Sequence, residues 1–192
     1  GLKCALYSLM KHNNLENVKK IALSDNKTTV SRMKKDKFLS RNLDDISKFR
    51  IKPYDDIGKG EKWKKRFQKT FYKFEAFKDY GKERNIFIDS DILCLGDISY
   101  LFDVDLDNGF GGVPDRGVKK APMFQKHHHK INTGVMLIDK NLQIQSVWKD
   151  LINIAKEGKT DDGSDQGCIN QYLVDKDVVP TELPLIYNAL KR

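Results

Sequence analysis

Hydrophobic and polar positions along this chain alternate between two periods. Residues 2–11 place Leu2, Ala5, Leu6, Leu9 and Met10 on one helical face, and the polar turn His12-Asn13-Asn14 separates them from an apolar strand over 18–23. A basic helix is expected over 28–40, then a weak strand at 49–51 before Pro53 and a loop over 54–61. The spacing of Trp63, Phe67, Phe71, Phe74 and Phe77 predicts a long amphipathic helix over 62–80, stopped by Gly81. Residues 86–88 read as a buried strand, 92–95 continue extended until Gly96, and Asp97 is placed to cap a short helix carrying Ile98, Leu101 and Phe102. Further strands are expected at 111–114, 135–138 and 178–179. Helices are expected over 143–156, with Val147, Trp148, Leu151, Ile152 and Ala155 inward and Gly158 as the stop, and after Ser164, carrying Cys168, Ile169, Tyr172 and Leu173. Strands alternating with helices imply an α/β fold in one domain, with a mostly parallel sheet covered on both faces.

The acidic residues fall where such a sheet binds ligands. Asp89 and Asp91 stand one residue apart at the exit of an apolar strand, and Asp115 follows Val113-Pro114 at the end of another. Ligands of α/β sheets lie beyond the carboxyl ends of the strands. Two carboxylates held so close can share one hard divalent cation, Mg²⁺ or Mn²⁺, which can in turn bridge phosphate oxygens. The competing reading is that Asp-Ser-Asp opens a turn, since both residue types favour turns. Asp165 and Gln166 occupy the first turn of a helix, where the dipole favours a carboxylate.

Composition narrows the partners. The chain has 192 residues, enough for one well-filled core, with 39% hydrophobic and 32% charged residues. No apolar run approaches a membrane span, and no signal-peptide pattern is read. Cys4, Cys94 and Cys168 are far apart, odd in number and set among apolar neighbours, so they are expected as buried thiols in a reducing, cytoplasmic compartment. Lys and Arg number 35 against 27 Asp and Glu, a net charge of +8, which implies an anionic ligand. The basic residues gather at 34–35, 59–73, 119–120 and 126–130. They carry no nucleic-acid-binding signature, so no nucleic-acid partner is expected, whereas an acidic polysaccharide, a lipid-linked acceptor or a membrane surface is compatible with the charge.

Four segments follow one another in order: Tyr72-Lys73-Phe74-Glu75-Ala76-Phe77; Phe87-Ile88-Asp89-Ser90-Asp91 on to Leu101-Phe102; Ile131-Asn132-Thr133-Gly134-Val135-Met136-Leu137-Ile138; and Asp165-Gln166 with Leu183-Pro184-Leu185-Ile186-Tyr187-Asn188 downstream. Together they resemble glycosyltransferase family 8, the group containing glycogenin and the lipopolysaccharide galactosyl- and glucosyltransferases. The resemblance implies a GT-A-type, Rossmann-like sheet sandwiched by helices. It also implies retaining transfer of a hexose from UDP-glucose or UDP-galactose to a saccharide, lipid-linked or protein acceptor. By the same resemblance Asp89 and Asp91 form the DxD motif that holds Mn²⁺ or Mg²⁺ on the donor diphosphate, with Ser90 near the ribose. Lys73 would point at the donor phosphate or sugar, Asp115 would touch the sugar, and Asn132, Thr133 and Gly134 would line it. Asp165 and Gln166 would lie at the anomeric centre; with Lys73 they are the expected catalytic residues. Asp161 and Asp162 add charge beside them or form a solvated turn.

Members of the family begin with a strand ahead of the helix where this sequence starts, and end with a metal-binding histidine before a Gly and Lys-Pro-Trp segment. The expectation is therefore a domain over 1–192 without those two elements. His127, His128 and His129 lie in a polar loop over 116–130, long enough to act as a lid. The alternative to a transferase is a degenerate module of the same fold that binds nucleotide-sugar or glycan without turnover. A nucleotidyltransferase is disfavoured, because the first strand has no glycine-rich phosphate loop.

Overall fold

The computed structural model describes residues 1–24, 27–48, 70–115, 130–158, 160 and 163–188. Helix α1 (Leu2–His12) buries Ala5 and Leu6, as the sequence spacing predicts. The first strand, β1 (Ile21–Ser24), pairs in parallel with β2 (Asp45–Lys48). Between them lie α2 (Lys27–Lys35) and α3 (Lys37–Asn42) rather than one helix over 28–40. Asp36 makes the break. Its backbone is extended and its side chain accepts from the amides of Phe38 and Leu39, which starts a new helix instead of continuing the old one. The expected strand at 49–51 and the loop over 54–61 lie outside the described residues.

Of the helix expected over 62–80, residues 62–69 lie outside the described residues, and the rest forms a 3₁₀ helix, Phe71–Phe77, that ends before Lys78. Spacing of three explains the change: a 3₁₀ helix eclipses residues three apart, so Phe71, Phe74 and Phe77 all enter the core together. The chain then enters β3 (Arg84–Ile88), and residues 92–95, expected to continue extended, form no strand and pass α1, where the Cys94 amide donates to Ser8 Oγ at 2.9 Å. Asp97 accepts from the Ser99 amide but does not cap helix α4 (Tyr100–Asp103) as expected; the helix starts later, its N-cap is Ser99, and no side chain caps it. Strands β4 (Phe110–Pro114) and β5 (Ile131–Asp139) follow, then α5 (Gln145–Glu157), α6 (Asp165–Asp175) and β6 (Thr181–Glu182). Gly158 ends α5 in the left-handed region at φ 67°, which a glycine adopts without strain. No strand forms at 178–179. The Val178 amide instead closes onto the Leu173 carbonyl, and β6 starts three residues later.

The main sheet has four strands in the order β3-β5-β4-β6. The α/β class is as expected, but strand direction is mixed. β4 and β6 are parallel, as are β1 and β2, whereas β5 runs antiparallel to both β3 and β4. Alternation along β5 sends Met136 and Ile138 into one core and Val135 and Leu137 into the other. The first core holds the three phenylalanines, Phe110 and the apolar faces of α5 and α6; the second holds Leu101, Val113 and Leu183. Cys94 and Cys168 are buried as expected; Cys4 is exposed, on the outer side of α1. Among the described residues no helix is long and apolar enough to cross a membrane.

Candidate active site

The reversed direction of β5 assembles the site. Because β5 is antiparallel to its neighbours, its first residues lie beside the carboxyl ends of β3 and β4, so Asn132, Thr133 and Gly134 meet Asp89 and Asp115. The Asp89 amide donates to the Gly134 carbonyl at 2.8 Å, and the Asp115 amide to the Lys130 carbonyl at 2.6 Å. Helix α6 then points its first turn at the same edge. Ser164 caps it by accepting from the Gly167 amide, which places Asp165 and Gln166 at the sheet.

Lys73 stands at the middle. Its Nζ lies 2.9 Å from Asp89 Oδ2 and 3.1 Å from Asp165 Oδ2, with the Thr133 carbonyl and Oγ1 each at 3.5 Å. The Thr133 hydroxyl donates to Asp165 Oδ2 at 3.2 Å, and the Thr133 amide donates to Gln166 Oε1 at 3.2 Å. Gln166 Nε2 donates in turn to Asp115 Oδ2 at 3.0 Å. One connected polar chain therefore runs from the end of β3 through the 3₁₀ helix, β5 and α6 to the end of β4. The family resemblance implies that Lys73 points at the donor phosphate or sugar; in this structure its ammonium is bonded to two carboxylates. Asp91 and Ser90 stand exposed at the rim.

Burial pushes the Asp89 carboxyl above its ordinary range. Lys73 opposes the rise, and the charges of Asp165 and Asp91 add to it. For Lys73, burial acts to lower the ammonium, but Asp165 and then Asp89 outweigh it, so its pKa is raised. The signs follow from linkage. Asp89 contributes to folding fully below the ordinary aspartate range, and that contribution is lost as pH rises through its raised value. The Lys73 contribution is complete below the ordinary lysine value and is lost only beyond its raised one.

Two amides without an assigned role in the sequence reading complete the frame. Asn170 is buried; its Oδ1 accepts from the Ile131 amide at 2.8 Å, and its Nδ2 donates to the carbonyls of Ile131 at 2.9 Å and Gln166 at 2.8 Å. It thereby ties α6 to the start of β5. The signal that would have found it is its place one helical turn after Gln166, on the same face. Asn188 donates to Asn132 Oδ1 at 2.6 Å, and that oxygen also accepts from the Gly134 amide. A Cβ on Gly134 would stand 3.0 Å from Asn188 Nδ2 and 3.1 Å from Asn132 Oδ1, so a larger residue would press on this pair and require it to shift by a few tenths of an ångström. Substituting Asn170→Ala strands a buried amide and a carbonyl of β5. Chemical denaturation is expected to show a loss of about 3 kcal/mol, the cost of leaving two buried backbone groups unpaired.

A cavity of about 440 Å³ opens between α1, β1 and β3, lined by Leu2, Leu6, Ile21, Leu23, Ile86 and Ile88. It is largely apolar and reaches the polar chain at Asp89. Asp161, Asp162 and His127 to His129 lie outside the described residues. Among those described, no group of three or more His, Cys, Asp or Glu side chains is placed to hold a metal ion.

The fold is of the GT-A glycosyltransferase type, as superposition on solved structures shows. The apo-form glycosyltransferase GlyE of Streptococcus pneumoniae TIGR4 superposes with a TM-score of 0.63 at 20% identity, over 96% of this chain and 41% of that one. A second GlyE structure gives 0.60 at 20% identity, over 97% and 43%. The chain thus spans less than half the length of these relatives. Residues 1–179 match the profile of glycosyl transferase family 8, and the chain belongs to that family. No curated protein sequence matches it.

Proposed function

We propose that the chain carries the donor site of a metal-dependent, retaining glycosyltransferase that moves glucose or galactose from a UDP-sugar to an acceptor hydroxyl. Family membership supports glycosyl transfer. The observation that carries the finer reading is the convergence of Lys73, Asp89, Asp115, Thr133, Asp165 and Gln166 into one polar chain at the sheet edge.

Carboxylate oxygens are the ligand type that a hard cation takes. The charges of Asp165 and Asp91 both act on Asp89, and Lys73 is the ammonium bonded to Asp89 and Asp165, so the cluster is anionic within a chain of net charge +8. Asp89 and Asp91 would hold Mn²⁺ or Mg²⁺, the remaining positions being left to phosphate oxygens and water. When bound, the cation supplies charge neutralisation for the departing diphosphate. The protein's own groups do the rest. Thr133 and Asn132 present hydroxyl and amide groups at the sugar, and Asp115 holds the Gln166 amide in one orientation. Asp165 and the Gln166 oxygen steady positive charge at the anomeric carbon.

Calorimetry of UDP binding with and without Mn²⁺, beside hydrolysis of UDP-glucose and UDP-galactose, tests this reading. Binding only with the cation, and release of hexose from one donor, are expected. The metal competes with a proton that Asp89 holds more tightly than an ordinary aspartate does, so affinity should fall with decreasing pH from above the usual aspartate range. No UDP binding at any pH would overturn the assignment. Binding without turnover of any donor would assign the non-catalytic module instead.

A further inference from the structure

The ammonium of Lys73 has no need of a ligand to hold its place. Its side chain is 12% exposed and Asp165 is 7% exposed, and no solvent-facing lysine on a basic helix would be so enclosed. The two carboxylates it joins come from different walls of the site: Asp89 from the end of β3, Asp165 from the first turn of α6. Lys73 itself sits on a third element, the 3₁₀ helix, whose Phe71, Phe74 and Phe77 are anchored in the core. The Phe87 ring lies beneath the ammonium, 5.6 Å from Nζ, and the Thr133 hydroxyl closes the fourth side through Asp165.

We infer that Lys73 is a positioning residue, the resident counter-ion that draws Asp89 and Asp165 together and sets the width of the site before any ligand arrives. Two like charges on separate elements would otherwise push α6 and β3 apart, and burial removes the water that could screen them. Because Nζ occupies Asp89 Oδ2, an oxygen of the proposed cation pair, the ammonium and a divalent cation serve as alternative counter-ions for one carboxylate cluster. Only this last clause rests on the donor-site reading; the bridge itself does not.

A double-mutant cycle without nucleotide tests it, using Lys73→Met, Asp165→Asn, the combination, and Lys73→Arg. Removing one partner of a buried pair strands the other, so Lys73→Met should lower the melting temperature by about 10 °C. Asp165→Asn in that background should recover at least half of the loss, because it deletes the stranded charge, and Lys73→Arg should stay near wild type. Equal losses in the two backgrounds, or no loss at all, would overturn the inference. If Lys73→Met fails to fold, the combination decides: folding supports the bridge, and failure refutes it. Manganese chloride alone should raise the melting temperature of Lys73→Met more than that of wild type, a response that a merely structural lysine would not produce. Coupling without a manganese response keeps the bridge and removes Asp89 from the cation site, so the two readings fail separately.

Discussion

Asp91→Asn is expected to abolish metal-dependent hydrolysis or transfer from a UDP-sugar, with a fall of at least about 100-fold, while leaving the fold untouched. The two halves have separate causes. Asp91 is exposed at the rim, so replacing its carboxylate with an amide should cost less than about 0.5 kcal/mol of stability. The amide oxygen is a weaker, uncharged ligand, and the cluster keeps Asp89 already engaged by Lys73. Asp91 is therefore the carboxylate most available to a cation. Activity assays with Mn²⁺, set beside thermal unfolding of the same variant, check both halves. Unchanged transfer would remove the cation from this edge of the sheet.

Phe77→Ala is expected to give the largest loss of stability. The ring is fully buried and stacks on Phe110 at a centroid distance of 6.1 Å and an interplanar angle of 5°. Truncating a buried phenylalanine costs about 3–5 kcal/mol through lost transfer energy and the cavity left behind. For a domain of this size that is a fall of about 10 °C or more in the melting temperature. Phe77 lies on the same 3₁₀ helix as Lys73, so the damage should reach the site. UDP affinity is expected to weaken in this variant although Phe77 touches none of the polar chain. A melting temperature within a few degrees of wild type would mean that the 3₁₀ helix is not anchored through this ring.

Much of the site was legible because its residues are marked by local chemistry. Asp89, Asp91 and Asp115 stand just past apolar strand segments, and Ser164 announces a helix start that carries Asp165 and Gln166. Residue spacing alone could not show that Lys73 would be enclosed by Asp89 and Asp165, since a lysine on a basic amphipathic segment reads the same whether it faces water or carboxylates. Asn170 and Asn188 went unassigned for a related reason: a buried amide is recognised by the polar groups it satisfies, and those lie 39 and 56 residues away in sequence, at the Ile131 backbone and the Asn132 side chain.

The sequence by itself determined the α/β class, the family, the helices α1, α5 and α6 with the stop of α5 at Gly158, and the acidic tips of β3 and β4. These depend on periodicity and on caps, which act over a few residues. Tertiary structure alone decided the direction of β5 and the strand at 181–182 in place of 178–179. An apolar strand has the same alternation read either way along the sheet, so its pairing is chosen by what the remaining elements can bury together. That choice turned the start of β5 toward the ends of β3 and β4 and made one site of residues scattered from Lys73 to Asn188.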